Sequence, residues 1–150
     1  DQQVQSIQQA LAKVSVTGVN AAVSLAGQTL SIQYSTGLCQ PFTISIAAGI
    51  ESQYGVVSDS SWTYTTRTQC YTTSIIGYSQ QGRAIVAYRF GSGSNTILYT
   101  GALHGNEQNT KLLMDAWINE LEANPGSIPR GTQLVVIPVL NPDGLAANTR

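Results

Sequence analysis

The sequence predicts an α/β protein whose mixed sheet contains a βαβ crossover, preceded by a small helix-plus-strand region. Short alternating stretches separated by glycines dominate the first half of the chain. In the second half, two apolar runs, residues 96–103 and 132–140, flank a helical pattern. A strand, a helix and a second strand in this order form a parallel βαβ unit with a right-handed connection. We therefore expect two regions, residues 1–73 and 74–150.

Residues 1–73 are predicted to form the small leading region. Apolar residues recur at spacings of three and four from Val4 to Val14, which indicates one face of a short helix. Alternating stretches that predict strands follow at residues 14–16, 22–25, 30–34 and 42–46. Nothing in this region indicates a specific function.

Residues 74–150 are predicted to begin with two strands, 75–79 and 84–90, around the turn Gln80-Gln-Gly-Arg83. The run at 96–103 predicts a buried strand, and the apolar spacing from Leu113 to Leu121 predicts a helix. The β-branched run at 132–140 predicts a strand that is buried on both faces. We expect four aromatic side chains to pack within these elements: Tyr78, Tyr88, Tyr99 and Trp117.

Charge and hydropathy exclude some classes of partner. The chain has 150 residues, of which 42% are hydrophobic and only 10% are charged, and its formal net charge is -1. The seven basic residues are scattered, so we expect no nucleic-acid partner. The apolar runs are too short to cross a bilayer, so we expect no membrane span.

Two cysteines bear on the compartment. Cys39 and Cys70 lie in a region rich in Ser, Thr, Gln and Tyr, a composition more usual in exported proteins. We predict that they form a disulfide and that the protein is secreted or extracellular. The alternative is a pair of buried free thiols, which requires no special compartment.

His104 and Glu107 stand just past the end of a predicted strand. Ligands of open α/β sheets collect at the carboxyl ends of strands, so this position favours chemistry. An imidazole and a carboxylate three positions apart can bind one cation, and zinc accepts mixed N and O ligands. We expect Gly105 to permit the tight backbone between them. The alternative is a hydrogen-bonded His and a Glu that favours the first turn of a helix.

An ordered set of neighbouring motifs resembles the zinc carboxypeptidase (metallocarboxypeptidase) family. The motifs are Ile76-Gly-Tyr-Ser-Gln-Gln-Gly-Arg83-Ala-Ile85, Leu103-His-Gly-Asn-Glu107 and Pro138-Val-Leu-Asn-Pro-Asp-Gly144. The resemblance covers residues 74–150 and implies that they form the first half of a zinc carboxypeptidase domain. It implies that His104 and Glu107 are zinc ligands and that Arg150 polarises the scissile carbonyl. Residues 141–144 are interpreted as a structural turn. Arg83 is interpreted as a residue that anchors the turn at residues 80–83.

The resemblance also implies parts that this chain does not contain. The family's third zinc ligand is a downstream histidine, its general base is a downstream glutamate, and His104 is the only histidine of this sequence. A catalytic zinc needs three protein ligands, so we expect the third to lie outside this chain, in its continuation or in a second chain. The His104-Gly-Asn-Glu107 motif, with Asn106 between the two implied ligands, resembles that of bacterial members of the family. Some of those members act on cell-wall peptides.

The function implied by the resemblance is zinc-dependent, carboxypeptidase-type hydrolysis of a peptide substrate, with cell-wall peptides as a candidate class. The alternative is a non-catalytic extracellular binding or structural protein built on a carboxypeptidase-like half-domain.

Overall fold

The computed structural model describes residues 2–27, 29–34, 37–52 and 54–150. The chain divides into two compact units, residues 1–68 and 69–150. The predicted boundary between residues 73 and 74 falls inside a strand of the second unit.

The described residues of the first unit form one helix and five strands: α1 Gln2–Leu11, β1 Val14–Thr17, β2 Ala21–Ala26, β3 Thr29–Tyr34, β4 Pro41–Ile46 and β5 Trp62–Arg67. Strands β1, β4 and β5 form one antiparallel sheet in the order β1-β4-β5, and β2 and β3 form an antiparallel hairpin. The predicted helix and four predicted strands are present. Strand β5 was not predicted, although its alternation of aromatic residues and threonines is typical of a strand.

The second unit contains a four-stranded mixed sheet in the order β6-β7-β9-β8. Its elements are β6 Tyr71–Tyr78, β7 Ala84–Gly91, β8 Asn95–Thr100, α2 Gln108–Ala123, β9 Thr132–Ile137 and α3 Pro142–Ala147. Strands β8 and β9 are parallel and are connected through α2, whereas β6, β7 and β9 are antiparallel neighbours. This is the predicted α/β class with a βαβ crossover.

The core of the second unit lies between the sheet and α2. Phe90 and Val136 are fully buried in the sheet, and Leu121 on α2 packs into the same cluster. Burial alternates along β9 and is continuous at its end, which agrees with a strand in the interior of the sheet. The apolar residues of α2 therefore pack the helix against β7 and β9.

Strand β8 differs from the prediction in burial and in length. All six of its residues are exposed, and β8 is an edge strand: β9 pairs with one of its edges and no other described strand pairs with the second. The strand also ends at Thr100 rather than at Leu103, and β9 ends at Ile137 rather than at Leu140. A continuous apolar run thus predicted a strand correctly but not its burial.

The four aromatic residues that were predicted to pack have different environments. Tyr88 and Trp117 are partly buried and pack against the core cluster. Tyr99 contacts Trp117 edge-on, with ring centroids 6.1 Å apart. Tyr78, at the end of β6, is 66% exposed, so its predicted packing role is wrong.

Both cysteines are disulfide-bonded, which confirms the predicted disulfide between Cys39 and Cys70. In the part of the chain that the structure describes, no helix has the length and hydropathy needed to cross a membrane.

Candidate metal centre

The segment 101–107 carries the candidate ligands from the end of β8 to the start of α2. Ala102 is fully buried and has a positive φ of 43°, a conformation that favours glycine. Its N–H donates to the Thr110 hydroxyl at 2.8 Å, and that hydroxyl donates to the Glu107 carbonyl at 2.7 Å. Thr110 therefore holds the entrance of α2 against the buried start of the loop.

Glu107 is the N-cap residue of α2, but its carboxylate makes no capping hydrogen bond to the described backbone. Its Oε1 instead lies 3.0 Å from Nδ1 of His104. The two side chains are 36% and 45% exposed, so both remain accessible from solvent. The structure thus brings these two predicted residues together at one point on the surface of the second unit.

The separation of these two atoms can be compared with that expected on zinc. Nitrogen and oxygen atoms bound to one tetrahedral zinc at about 2.0 to 2.2 Å lie about 3.4 Å apart. The observed 3.0 Å differs from that value by a few tenths of an ångström. In their chemistry and spacing, Nδ1 of His104 and Oε1 of Glu107 therefore fit two positions of a zinc site.

Arg150 lies beside the same imidazole. Its Nη2 is 3.4 Å from Nδ1 of His104, although the two residues are 46 positions apart in sequence. Nδ1 has either one proton or one lone pair, so it cannot donate to Glu107 and accept from Arg150 at the same time. The three predicted site residues form one constellation.

The Asn141-Pro-Asp-Gly144 segment begins a helix, so its interpretation as a simple turn is wrong. Asn141 is the N-cap of α3, and its Oδ1 accepts from the Gly144 N–H at 2.9 Å. Pro142 occupies the first helical position, where its missing N–H is harmless, and Asp143 lies in the first turn. An Asn, a Pro and an acidic residue in this order are a helix-start signal that the sequence offered.

Gly105 is required by close packing. Its φ is not among the positive values, so this position needs a glycine for space and not for a left-handed conformation. A Cβ on Gly105 would lie 1.8 Å from the carbonyl carbon of Gly144 and 2.0 Å from its oxygen. The loop that carries His104 and Glu107 therefore rests directly on the backbone of α3.

Asp143 holds α3 to the turn between β6 and β7. Ser79 Oγ donates to Asp143 Oδ1 at 2.7 Å, Arg83 donates to the same oxygen at 2.6 Å, and the Gln81 N–H donates to Oδ2 at 3.0 Å. Arg83 also donates to the Gln81 side chain at 2.5 Å, in agreement with its predicted anchoring role. The sequence did not predict that Asp143 accepts these hydrogen bonds.

The pKa of Asp143 reflects this environment. Partial desolvation by itself would raise it, but the hydrogen bonds from Ser79, Arg83 and the Gln81 N–H, with the charge of Arg83, outweigh desolvation. The pKa of Asp143 is consequently held below its ordinary value. The carboxylate is ionised at neutral pH, and it is the ionised form that accepts all three hydrogen bonds.

A cavity of about 450 Å³ opens between the β6–β7 turn and α3. Its lining includes Gln80, Asn141, Asp143 and Arg150. The guanidinium near His104 is thus also accessible from a polar depression on the same unit.

Among the described residues, His104 and Glu107 are the two candidate ligands that meet at this point. Across residues 2–27, 29–34, 37–52 and 54–150, no group of three or more His, Cys, Asp or Glu side chains could hold a metal ion. A catalytic zinc takes three protein ligands and keeps one open position, so His104 and Glu107 by themselves are one protein ligand short of such a site.

Comparison with known proteins identifies the family. The family profile described as zinc carboxypeptidase matches residues 60–150, which is more than half of the chain. This protein belongs to the zinc carboxypeptidase family.

Individual relatives share only part of their length with this chain. Bacteriocin BCN5 of Clostridium perfringens is 34% identical over 76 residues, which cover 48% of this chain and 8% of that protein. A putative carboxypeptidase A from Shewanella denitrificans is 14% identical, with a TM-score of 0.49, over 91% of this chain and 57% of that chain. A metallo-carboxypeptidase from Burkholderia cenocepacia is 9% identical, with a TM-score of 0.44, over 91% and 58%. The chain therefore spans a small part of the bacteriocin and a little over half of these structures.

Proposed function

We propose that this chain is the metal-binding part of a zinc-dependent carboxypeptidase-type peptidase, in which His104 and Glu107 are zinc ligands. Membership of the zinc carboxypeptidase family supports this function. The observation that carries it is the 3.0 Å approach of His104 Nδ1 to Glu107 Oε1, with Arg150 at 3.4 Å from the same nitrogen. Two ligand atoms and a permanent positive charge meet where a sheet strand ends.

Each residue has a distinct task in this proposal. A bound zinc supplies Lewis acidity and a water of lowered pKa. His104 and Glu107 hold the ion, and their partial exposure leaves room for a substrate at the surface. Arg150 donates to the scissile carbonyl oxygen, because a guanidinium stays charged and offers paired N–H donors to developing negative charge.

A third protein ligand and a general base complete the proposed site. We propose that both come from polypeptide outside these 150 residues, either a continuation of the chain or a second chain. The two ligands found among the described residues are one fewer than a catalytic zinc takes.

The substrate is proposed to be a peptide, and cell-wall peptides belong in any substrate panel. The resemblance to bacterial members of the family at Asn106 supports including them. The proposed location is outside the cell, since disulfides persist in oxidising compartments and both cysteines are disulfide-bonded.

The test is zinc content and peptidase turnover of the full-length protein and of His104→Ala and Glu107→Gln. Both variants are expected to lose zinc and to lower turnover at least a hundredfold. Glu120→Gln removes a carboxylate from the other end of α2 and serves as the matched control. Undiminished zinc and turnover in His104→Ala would overturn the proposal, and a wild-type protein without turnover on any peptide would favour the non-catalytic alternative.

A further inference from the structure

The turn between β6 and β7 is tied to α3 by a single carboxylate. Asp143 accepts hydrogen bonds from Ser79, the Gln81 N–H and Arg83 within 3.0 Å, across 60 or more positions of sequence. We call these four residues the Asp143 clamp. Because the guanidinium and the carboxylate are charged, the clamp is stronger than a set of neutral hydrogen bonds.

The first turn of α3, which the clamp holds, supports residues 101–107, which we call the metal-ligand loop. The Asn141 N–H donates to the Ala102 carbonyl at 3.0 Å. Gly105 packs against the backbone of Gly144 with no space for a Cβ. A displacement of α3 would therefore be transmitted to the loop on which His104 and Glu107 stand.

The other end of α3 places Arg150. Asn148 ends the helix in a left-handed conformation with φ 53°, and the Thr149 N–H returns to the Gly144 carbonyl at 2.9 Å. The next residue, Arg150, has its guanidinium 3.4 Å from His104. Helix α3 thus contacts the metal-ligand loop through its first turn, and Arg150 follows its C-terminal end.

We infer that Arg83 and Asp143 are positioning residues, which set the placement of the metal ligands and of Arg150 through α3. This inference rests on the proposed function. Among the described residues, no hydrogen bond or ion pair joins the clamp to His104, Glu107 or Arg150, so its effect is exerted through the helix. Residues that orient metal ligands commonly change metal affinity or activity by about 10- to 100-fold when they are replaced.

The experiment compares Asp143→Asn with Asp115→Asn in the zinc-loaded full-length protein. Asp115 pairs with Lys111 at 2.5 Å on the surface of α2, so its replacement removes the same charge from an ion pair outside the site. Zinc affinity is measured by competition with a chromogenic chelator, and kcat and KM are measured separately on a peptide substrate. We expect Asp143→Asn to weaken zinc binding and to lower kcat about tenfold, with KM within about twofold and with Asp115→Asn unchanged.

Arg83→Gln provides a second variant that leaves the acidic side chain and α3 intact. The Arg83 side chain is 43% exposed, so this substitution is compatible with folding even where Asp143→Asn is not. We expect the same loss of zinc affinity and kcat, with partial recovery in Arg83→Lys, which restores the charge but not the paired donors.

The outcomes separate this inference from the proposed function. If His104→Ala abolishes zinc binding while the clamp variants lower only the melting temperature, with wild-type zinc affinity and kcat, the clamp is merely structural and the inference is overturned. If His104→Ala retains zinc, the proposed function fails at the ligands themselves.

Discussion

Gly105 and Gly144 pack backbone against backbone, and a Cβ on Gly105 would lie 1.8 Å from the Gly144 carbonyl carbon. The two glycines belong to different predicted motifs, one in the metal-ligand loop and one at the start of α3. Their contact brings these motifs together and leaves no space for a side chain at Gly105.

Gly105→Ala should destabilise the second unit by about 3 kcal/mol or more, because the added methyl group overlaps main-chain atoms that can move only with α3. The measurement is the free energy of unfolding from urea titration. Gly126→Ala is the matched control, since no atom lies within 4 Å of its built Cβ. It should change stability by less than about 0.5 kcal/mol. Equal stabilities of the two variants would contradict the close packing.

Thr110→Val should lower stability by roughly 1 to 3 kcal/mol, because it leaves the buried N–H of Ala102 without its acceptor at nearly constant side-chain volume. Thr110→Ser keeps the hydroxyl and should remain within about 1 kcal/mol of the wild type. Thermal unfolding of the three proteins checks this. A valine variant as stable as the serine variant would show that the hydrogen bond contributes little.

The Asp143 clamp should make the stability of the fold depend on pH in the acidic range. The folded-state pKa of Asp143 lies below its ordinary value of 3.8, so the ionised carboxylate stabilises the fold fully above that value. This contribution is lost as the pH falls through the lowered folded-state pKa, because the unfolded chain takes up the proton first.

The measurement is the melting temperature of the wild type and of Asp143→Asn from pH 2 to pH 7. The wild type should be the more stable at neutral pH, and the difference should shrink below about pH 4. In an Arg83→Gln background the difference should be smaller throughout, because the guanidinium no longer faces the carboxylate. A difference that is constant down to pH 2 would rule out ionisation as its source.

Reduction of the disulfide should lower the free energy of unfolding by roughly 3 to 4 kcal/mol, because the unfolded chain regains the entropy lost in a closed loop of about 30 residues. Urea titrations with and without dithiothreitol measure this loss. The double variant Cys39→Ser/Cys70→Ser should have the stability of the reduced protein and should not respond to the reductant. A wild-type midpoint that does not move after complete reduction would contradict the prediction.

Local patterns predicted most of the elements, because hydrophobic periodicity and turn residues act over a few positions. The alternation in β2, β3 and β4 and the apolar spacing of α2 are signals of this kind. Burial was less predictable: β8 has the composition of an interior strand but lies at an edge of the described sheet. The position of a strand within a sheet is a property of strand order, which no single run of residues encodes.

The sequence by itself determined the α/β class and the motifs that place the chain in the zinc carboxypeptidase family. Only the tertiary structure decided that His104, Glu107 and Arg150 meet, that Gly105 packs on α3, and that Asp143 holds this helix to the β6–β7 turn. The physical reason is the distance in sequence over which each kind of interaction acts. Strand and helix preferences arise between neighbours, whereas these contacts join residues tens of positions apart and exist only when the sheet brings their segments together.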